Sequence, residues 1–290
     1  LIIYMSYCYG PDSKGHITNL KGANSIVETN SGNFIITASD AIIGVDEVGE
    51  LLWQIDNLRY VRTTTKLSDG NYIIAGSIGI GNEKIIKVDE NGSIIWDKRN
   101  IFDGYGVYTA ISKQDAFFLT TYGQGQISLV KFDNDGNLLW NKSFANYSFE
   151  DIRDISITSS GDFLICGIST QYNSNGLGLP TVWKINDSGD IIWAKSYEHH
   201  NSSNNDAQSV VELSNGNIAF ASFDAAYLLD QEGDLLTTYL LFDSTTWNGL
   251  YNTYPFSIIE SSDERLIMTG TFRGDETNNN ETILLGIIVP

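Results

Sequence analysis

Acid pairs are the residues of this chain whose types and spacing come nearest to chemistry: Asp46 beside Glu47, and Asp133 two positions before Asp135. Two carboxylates at one site divide the work of general acid and general base in hydrolysis. Both pairs fall in the segments "DEVG" and "DNDG", which read as hairpin turns with the carboxylates as solvated caps. "DNDG" also opens like a calcium loop, but that loop's spacing and closing Glu do not follow. His199 and His200 are neighbours with no third ligand at short range, and Cys8 and Cys166 are far apart, so no zinc spacing occurs. "RGD" at Arg273 to Asp275 has the form of an adhesion ligand in a polar loop, on a match of three residues. Sequons at Asn91, Asn141, Asn146, Asn186, Asn201 and Asn280 permit glycosylation and require none. No catalytic set, no metal and no cofactor is expected.

The turns that hold these acids recur. An Asp or Asn stands three residues before a Gly, and a Trp follows that Gly by four: Asp46, Gly49, Trp53; Asp89, Gly92, Trp96; Asp133, Gly136, Trp140; Asn186, Gly189, Trp193. A fifth copy keeps Asp230 and Gly233 but has Thr237 in place of Trp. The Gly-to-Gly spacings are 43, 44, 53 and 44, the range of propeller-type repeats. Asp suits the cap of a hairpin turn, Gly its backbone, and Trp the packing of one repeat on the next.

Ahead of each copy lie two apolar runs joined by a polar turn, as in "SIVETNSGNFIITAS" and "DISITSSGDFLICGI", and there are six such pairs. Each unit therefore holds four short strands, and helical periodicity is nowhere sustained. Four antiparallel strands in about 45 residues predict a β-propeller blade. The chain reads as one all-β domain over residues 1–290, a six-bladed β-propeller of four-stranded antiparallel blades. The blades span about 24–56, 60–98, 106–143, 151–196, 206–241 and 254–288. The last lacks an outer strand, and "LIIYMSY" aligns with "SIIWDKR" so that Tyr4 takes the Trp place. Residues 1–8 are expected to join the C-terminal blade and close the ring, which removes an open sheet edge. The alternative is that "LIIYMSYC" ends a lipoprotein signal with Cys8 lipidated, although Tyr7 is large for the cleavage position. If the ring closes this way, Cys8 and Cys166 are two free thiols.

The recurring Asp, Gly and Trp resemble the tryptophan-docking motif of pyrroloquinoline-quinone-like (PQQ-like) β-propeller repeats, over five of six units and nearly the whole chain. That family includes quinone-dependent dehydrogenases and non-catalytic envelope lipoproteins, among them the propeller subunit of the outer-membrane β-barrel assembly machine. The dehydrogenases resemble eight-bladed rings with a calcium site and adjacent cysteines, and this sequence departs from them in both blade count and cysteines. It also departs from the sialidases, whose turns are one residue shorter and whose arginine triad would need half of Arg59, Arg62, Arg99, Arg153, Arg265 and Arg273. The resemblance implies the non-catalytic branch.

Composition narrows the partners. With 17 Lys and Arg against 36 Asp and Glu, the net charge of −19 opposes nucleic acid and anionic lipid surfaces. No apolar run is long enough for a spanning helix, so direct membrane insertion of the domain is not expected. The longest loops, "TQYNSNGLGLP", "YEHHNSSNNDA", "FDSTTWNGLYNTY" and "FRGDETNNNE", form a polar rim on blades four to six. Tyr172, His199, His200, Trp247, Tyr251, Arg273 and Asp275 on that rim are the candidate binding residues. The expected function is a non-enzymatic scaffold that binds a protein, outside the cytoplasm, in a bacterial envelope or at the cell surface, with membership of an outer-membrane complex and a lipid anchor left open. The alternative is a glycan-binding or carbohydrate-active propeller.

Overall fold

The computed structural model describes residues 22–38, 40–56, 58, 61–77, 83–101, 106–123, 126–145, 151–169, 178–198, 206–222, 225–240, 253–273 and 281–288. Among them every regular element is a strand. The first sheet contains β1 (Ala23–Glu28), β2 (Phe34–Ala38), β3 (Ile42–Val45) and β4 (Leu51–Ile55). The second contains β5 (Val61–Lys66), β6 (Tyr72–Ser77), β7 (Glu83–Val88) and β8 (Ile94–Arg99). The third contains β9 (Gly106–Lys113), β10 (Ala116–Gly123), β11 (Gln126–Asp133) and β12 (Leu138–Ala145). The fourth contains β13 (Asp151–Ile157), β14 (Phe163–Ser169), β15 (Leu179–Ile185) and β16 (Ile191–Ser196). The fifth contains β17 (Ala207–Glu212), β18 (Ile218–Ser222), β19 (Ala225–Leu229) and β20 (Leu235–Leu240). The sixth has three strands, β21 (Thr253–Glu260), β22 (Leu266–Arg273) and β23 (Glu281–Ile288). Strands pair with their sequence neighbours, antiparallel. Residues 1–8, the expected fourth strand of the last sheet, lie outside the described residues, and Cys8 with them.

The chain divides into two compact units, Leu1–Gln124 with Ser128–Ser143, and Gly125–Ile127 with Phe144–Pro290. In the first, Ile35, Ile42, Tyr72, Ile74 and Ile86 bury themselves between the first and second sheets. Ile73, Ile85, Phe117, Val130 and Phe132 do the same between the second and third. Phe117 and Phe132 stack with ring centroids 5.0 Å apart. In the second unit Leu164, Cys166, Val182, Phe220 and Tyr227 join the fourth sheet to the fifth, and Ala219, Ala221, Ile258 and Met268 join the fifth to the sixth. A central strand is thus covered on both faces, which is why β14 reads "FLICGIS" with almost no alternation.

The five turns that open the outer strands share one geometry. Asp46 Oδ1 accepts from the N–H groups of Val48 and Glu50 at 3.0 and 2.8 Å. Asp89, Asp133, Asn186 and Asp230 repeat both bonds within 0.1 Å or so. Gly92 sits at φ 82°, and a Cβ there would lie 2.6 Å from the indole of Trp53. Trp96 covers Gly136 and Trp193 covers Gly233 in the same way. The glycine answers two demands at once, a left-handed backbone and room for the preceding sheet's Trp.

These demands separate by substitution. Gly32→Ala meets a positive φ of 84° with nothing within 4 Å of the new methyl, so it should cost only the backbone term, about 1–2 kcal/mol. Gly92→Ala adds overlap with Trp53 and should cost about 1–3 kcal/mol more. Denaturant unfolding of both variants checks this; equal losses would mean that Trp53 moves aside freely.

Candidate functional site

Of the rim residues expected from sequence, Tyr172, His199, His200, Trp247, Tyr251 and Asp275 lie outside the described residues. Arg273 ends β22, in register with Glu281 at the start of β23. The acid pairs Asp46 with Glu47 and Asp133 with Asp135 occupy the capped turns, where Asp46 and Asp133 are spent on turn N–H groups. Hydrogen bonds hold the Asp133 carboxyl below the usual range, outweighing burial, the largest single influence, which acts upward.

The described polar clusters gather instead on the first strand of each sheet. A β-bulge interrupts that strand in all six sheets, next to Ser25, Thr63, Thr109, Asp154, Ser209 and Ser257. In the first, second and fourth sheets the residue after the bulge reaches across to the following sheet. Ser25 Oγ accepts from Thr64 N at 3.2 Å, and Thr63 Oγ1 accepts from Ala110 N at 3.0 Å. Asp154 Oδ2 accepts from Val210 N at 3.2 Å and from Ser209 Oγ at 2.8 Å, while Ile155 N donates to Oδ1. The bulged residues add further links: Asn24 donates to Val61 O at 2.6 Å, and the Arg62 guanidinium lies 5.1 Å from the Tyr108 ring centroid.

Arg153 is the bulged residue of β13. Its Nε and Nη2 both donate to Asp206 Oδ2, at 2.9 and 2.5 Å, and Nη2 is 2.9 Å from Asp151 Oδ2. A guanidinium so committed does not present an open fork to a substrate carboxylate. Cys166 Sγ donates to Ala207 O, and burial pushes its thiol up, away from the reactive thiolate. Among the described residues no three His, Cys, Asp or Glu gather to hold a metal.

The row of bulge residues escaped the sequence reading, yet it leaves a signal. Ser25, Thr63, Asp154, Ser209 and Ser257 each stand seven positions before a residue with positive φ: Gly32, Gly70, Gly161, Gly216 and Glu264. In the third sheet the turn is shorter and Gln114 takes that role.

Asp154 is the one carboxylate in a row of hydroxyls. Burial is the largest influence on it and raises its pKa, against the three donated hydrogen bonds. A carboxyl with a higher pKa folded than unfolded favours the fold most in acid. That contribution falls as pH rises from the unfolded value, near 3.8, through the raised one, and is constant above both. Asp154→Ser restores the residue of the equivalent positions. It should be less stable than the parent by about 1 kcal/mol at acid pH, where a bond is lost, and the gap should narrow or reverse towards neutral pH. Thermal unfolding of both proteins across that range checks it; a gap independent of pH would show that Asp154 does not titrate with the fold.

Sheets of sequence-consecutive antiparallel strands, joined face to face by Trp on Gly, define a β-propeller repeat fold. No protein-family model matches the chain, and no curated protein matches it in sequence. Among solved structures it is similar to the Dos1 propeller, at 11% identity and TM-score 0.63, over 91% of this chain and 69% of that one. It is similar to the extracellular domain of BT4673, a two-component system protein of B. thetaiotaomicron, at 12% identity and TM-score 0.60, over 92% of this chain and 33% of that one. BamB from Moraxella catarrhalis matches at 17% identity and TM-score 0.53, over 84% of this chain and 68% of that one. The chain thus spans a third of BT4673's structure, and the likenesses carry the fold.

Proposed function

We propose that the chain is a non-catalytic binding β-propeller of the PQQ-like, tryptophan-docking kind, a six-bladed ring whose last blade is completed by residues 1–8. It works outside the cytoplasm of a bacterium, in the envelope or at the cell surface, and its partner is a protein. The observation that carries this reading is that the recurring polar residues all serve to hold strands or sheets together. Asp46 and its equivalents cap turns, Ser25, Thr63, Asp154 and Ser209 bridge sheets, and Arg153 is tied to Asp206 and Asp151. Chemistry not consumed by the repeat therefore falls to the loops, where aromatic residues stand among amides. The extracellular domain of BT4673 and BamB support an extracytoplasmic setting.

A second reading, glycan binding, is favoured by the same loops, because Tyr172, Trp247 and Tyr251 lie among Asn and Ser. Affinity capture from an envelope fraction, set beside a glycan array and a panel of hydrolase substrates, separates the classes. A protein partner supports the proposal; turnover abolished by replacing a single acid overturns it. Trp247 lies outside the Gly-to-Trp repeat, so Trp247→Ala should weaken partner binding by roughly thirtyfold, about 2 kcal/mol, and leave the unfolding midpoint unchanged. A fallen midpoint with unaltered affinity would make Trp247 a packing residue.

A further inference from the structure

The outer strands carry a feature that neither docking nor capping uses. In the first unit, Leu51 and Leu52 of β4 and Ile94 and Ile95 of β8 are 39 to 51% exposed although consecutive in their strands, where one of two neighbours ordinarily faces inward. A bulge explains it. Val45 pairs with Leu51 and Gly44 with Trp53, which leaves Leu52 as the extra residue, and Ile95 is extra in the same way between Ile94 and Trp96. The two doublets flank one docking contact, because Trp53 follows Leu52 directly and rests on Gly92, two residues before Ile94. Val48, 72% exposed, extends the apolar row at the first turn.

The turns that precede the two doublets carry charges of one sign, while the cations of β8, Lys98 and Arg99, are engaged by Asp135 O and Asp97. Asp46, Glu47 and Glu50 precede the first doublet and Asp89 and Glu90 the second, and none of the five forms an ion pair with a described residue. One oxygen of Glu90 is enclosed with no donor among the described residues. Equivalent turns elsewhere are answered by a lysine from the preceding sheet: Lys98 Nζ donates to Asp135 O at 2.6 Å, and Lys195 Nζ lies 2.5 Å from Asp234 Oδ1. The matching position before Glu90 is Ile55 on β4, two residues after Trp53 as Lys98 is after Trp96. Here the strand supplies no cation.

We propose that the outer edge of the first two sheets, Val48, Leu51, Leu52, Ile94 and Ile95 with the carboxylates of their turns, docks a basic amphipathic segment of a partner protein. The apolar row supplies contact area, and the uncompensated acids select lysine and arginine. A second copy of this chain, itself at −19, and an anionic membrane both carry the wrong charge for this face. The inference rests on none of the loop residues named above, so it stands or falls apart from them.

The probe is a short peptide alternating Lys and Val, titrated against the full chain by fluorescence anisotropy at low salt, with hydrogen exchange to locate it. Binding that slows exchange in β4 is expected. Peptides alternating Lys with Ser should bind at least about tenfold more weakly, which corresponds to 1.4 kcal/mol, and those alternating Glu with Val should not bind. Leu52→Lys, and separately Glu47→Lys with Glu50→Lys, should each weaken binding by about tenfold or more, whereas Ile192→Lys on β16 should leave it within about twofold. The turn variants lie on an exposed loop, so they report even if Leu52→Lys unfolds. Absence of Lys–Val binding, equal binding of Lys–Ser, or an equal loss in Ile192→Lys overturns the proposal. Sedimentation of the protein with phosphatidylserine vesicles, lost in Leu52→Lys, would overturn the choice of a protein as occupant.

Discussion

The contact of a Trp face with a left-handed Gly in the next sheet is the interaction on which the rest of the structure depends. A sheet whose central strands are apolar on both faces cannot stand alone in water, and what it needs is a neighbour at a fixed distance. Trp on Gly sets that distance at the outer end, since no side chain intervenes on the glycine. The contact is made chiefly of apolar surface. Trp53 Nε1 donates to Glu90 O at 3.0 Å, but the Nε1 groups of Trp96 and Trp193 are buried with no acceptor among the described residues. An unpaired buried donor costs on the order of 1–3 kcal/mol, so packing must exceed that cost in two of the three contacts. The difference has a local cause. The strand partner of Trp53 is Gly44, whose absent Cβ would lie 2.2 Å from the indole. Trp96 and Trp193 face Lys87 and Lys184 instead, which leave less room for the ring to slide towards an acceptor.

At the opposite end, on the first strand of the first, second and fourth sheets, the same problem is solved with polar bonds. The bulge frees one backbone N–H from the ladder, and the side chain beside it supplies an acceptor to the following sheet. A hydroxyl does this at little cost because it is neutral. At Asp154 a carboxylate takes the role and collects three donors, but it carries its charge into a site where burial raises its pKa. Lys87 shows the converse, a nearly buried ammonium made tolerable by Asp69 Oδ2 at 2.7 Å and Asn134 O at 2.8 Å, the latter on the next sheet. Joining neighbours is therefore not left to apolar burial alone.

What was legible in the sequence follows from these two solutions. Asp, Gly and Trp were visible because each has a distinct physical reason for its place and the spacing between them is rigid. Central strands such as "NYIIAGS", which holds β6, were visible because burial on both faces removes polar residues. The hydroxyl row was not, since Ser and Thr are ordinary strand residues and a bulge shifts the side-chain alternation by one, so a reading with period two puts Ser25 and Thr63 on the wrong face. Gln114 and Glu264, at φ 53° and 62°, were equally opaque, as nothing in their chemistry announces a left-handed backbone. The candidate rim was found by composition and loop length, and all but Arg273 of it lies outside the described residues.

A repeat that is mostly architecture confines function to the differences between its copies. The outer turns illustrate this. All five place carboxylates beside exposed aliphatic residues, and the acids offset the poor solubility of that apolar edge. In the third and fifth sheets a lysine from the preceding outer strand answers the turn, which closes the arrangement on itself. In the second sheet Ile55 stands where that lysine would be, so the turn of Asp89 and Glu90 receives no cation from the preceding strand. A different residue two places after a docking Trp thus changes the charge balance of the neighbouring turn while the Trp-on-Gly contact is kept. That separation is what allows sheets built on one scaffold to differ in the surface each presents.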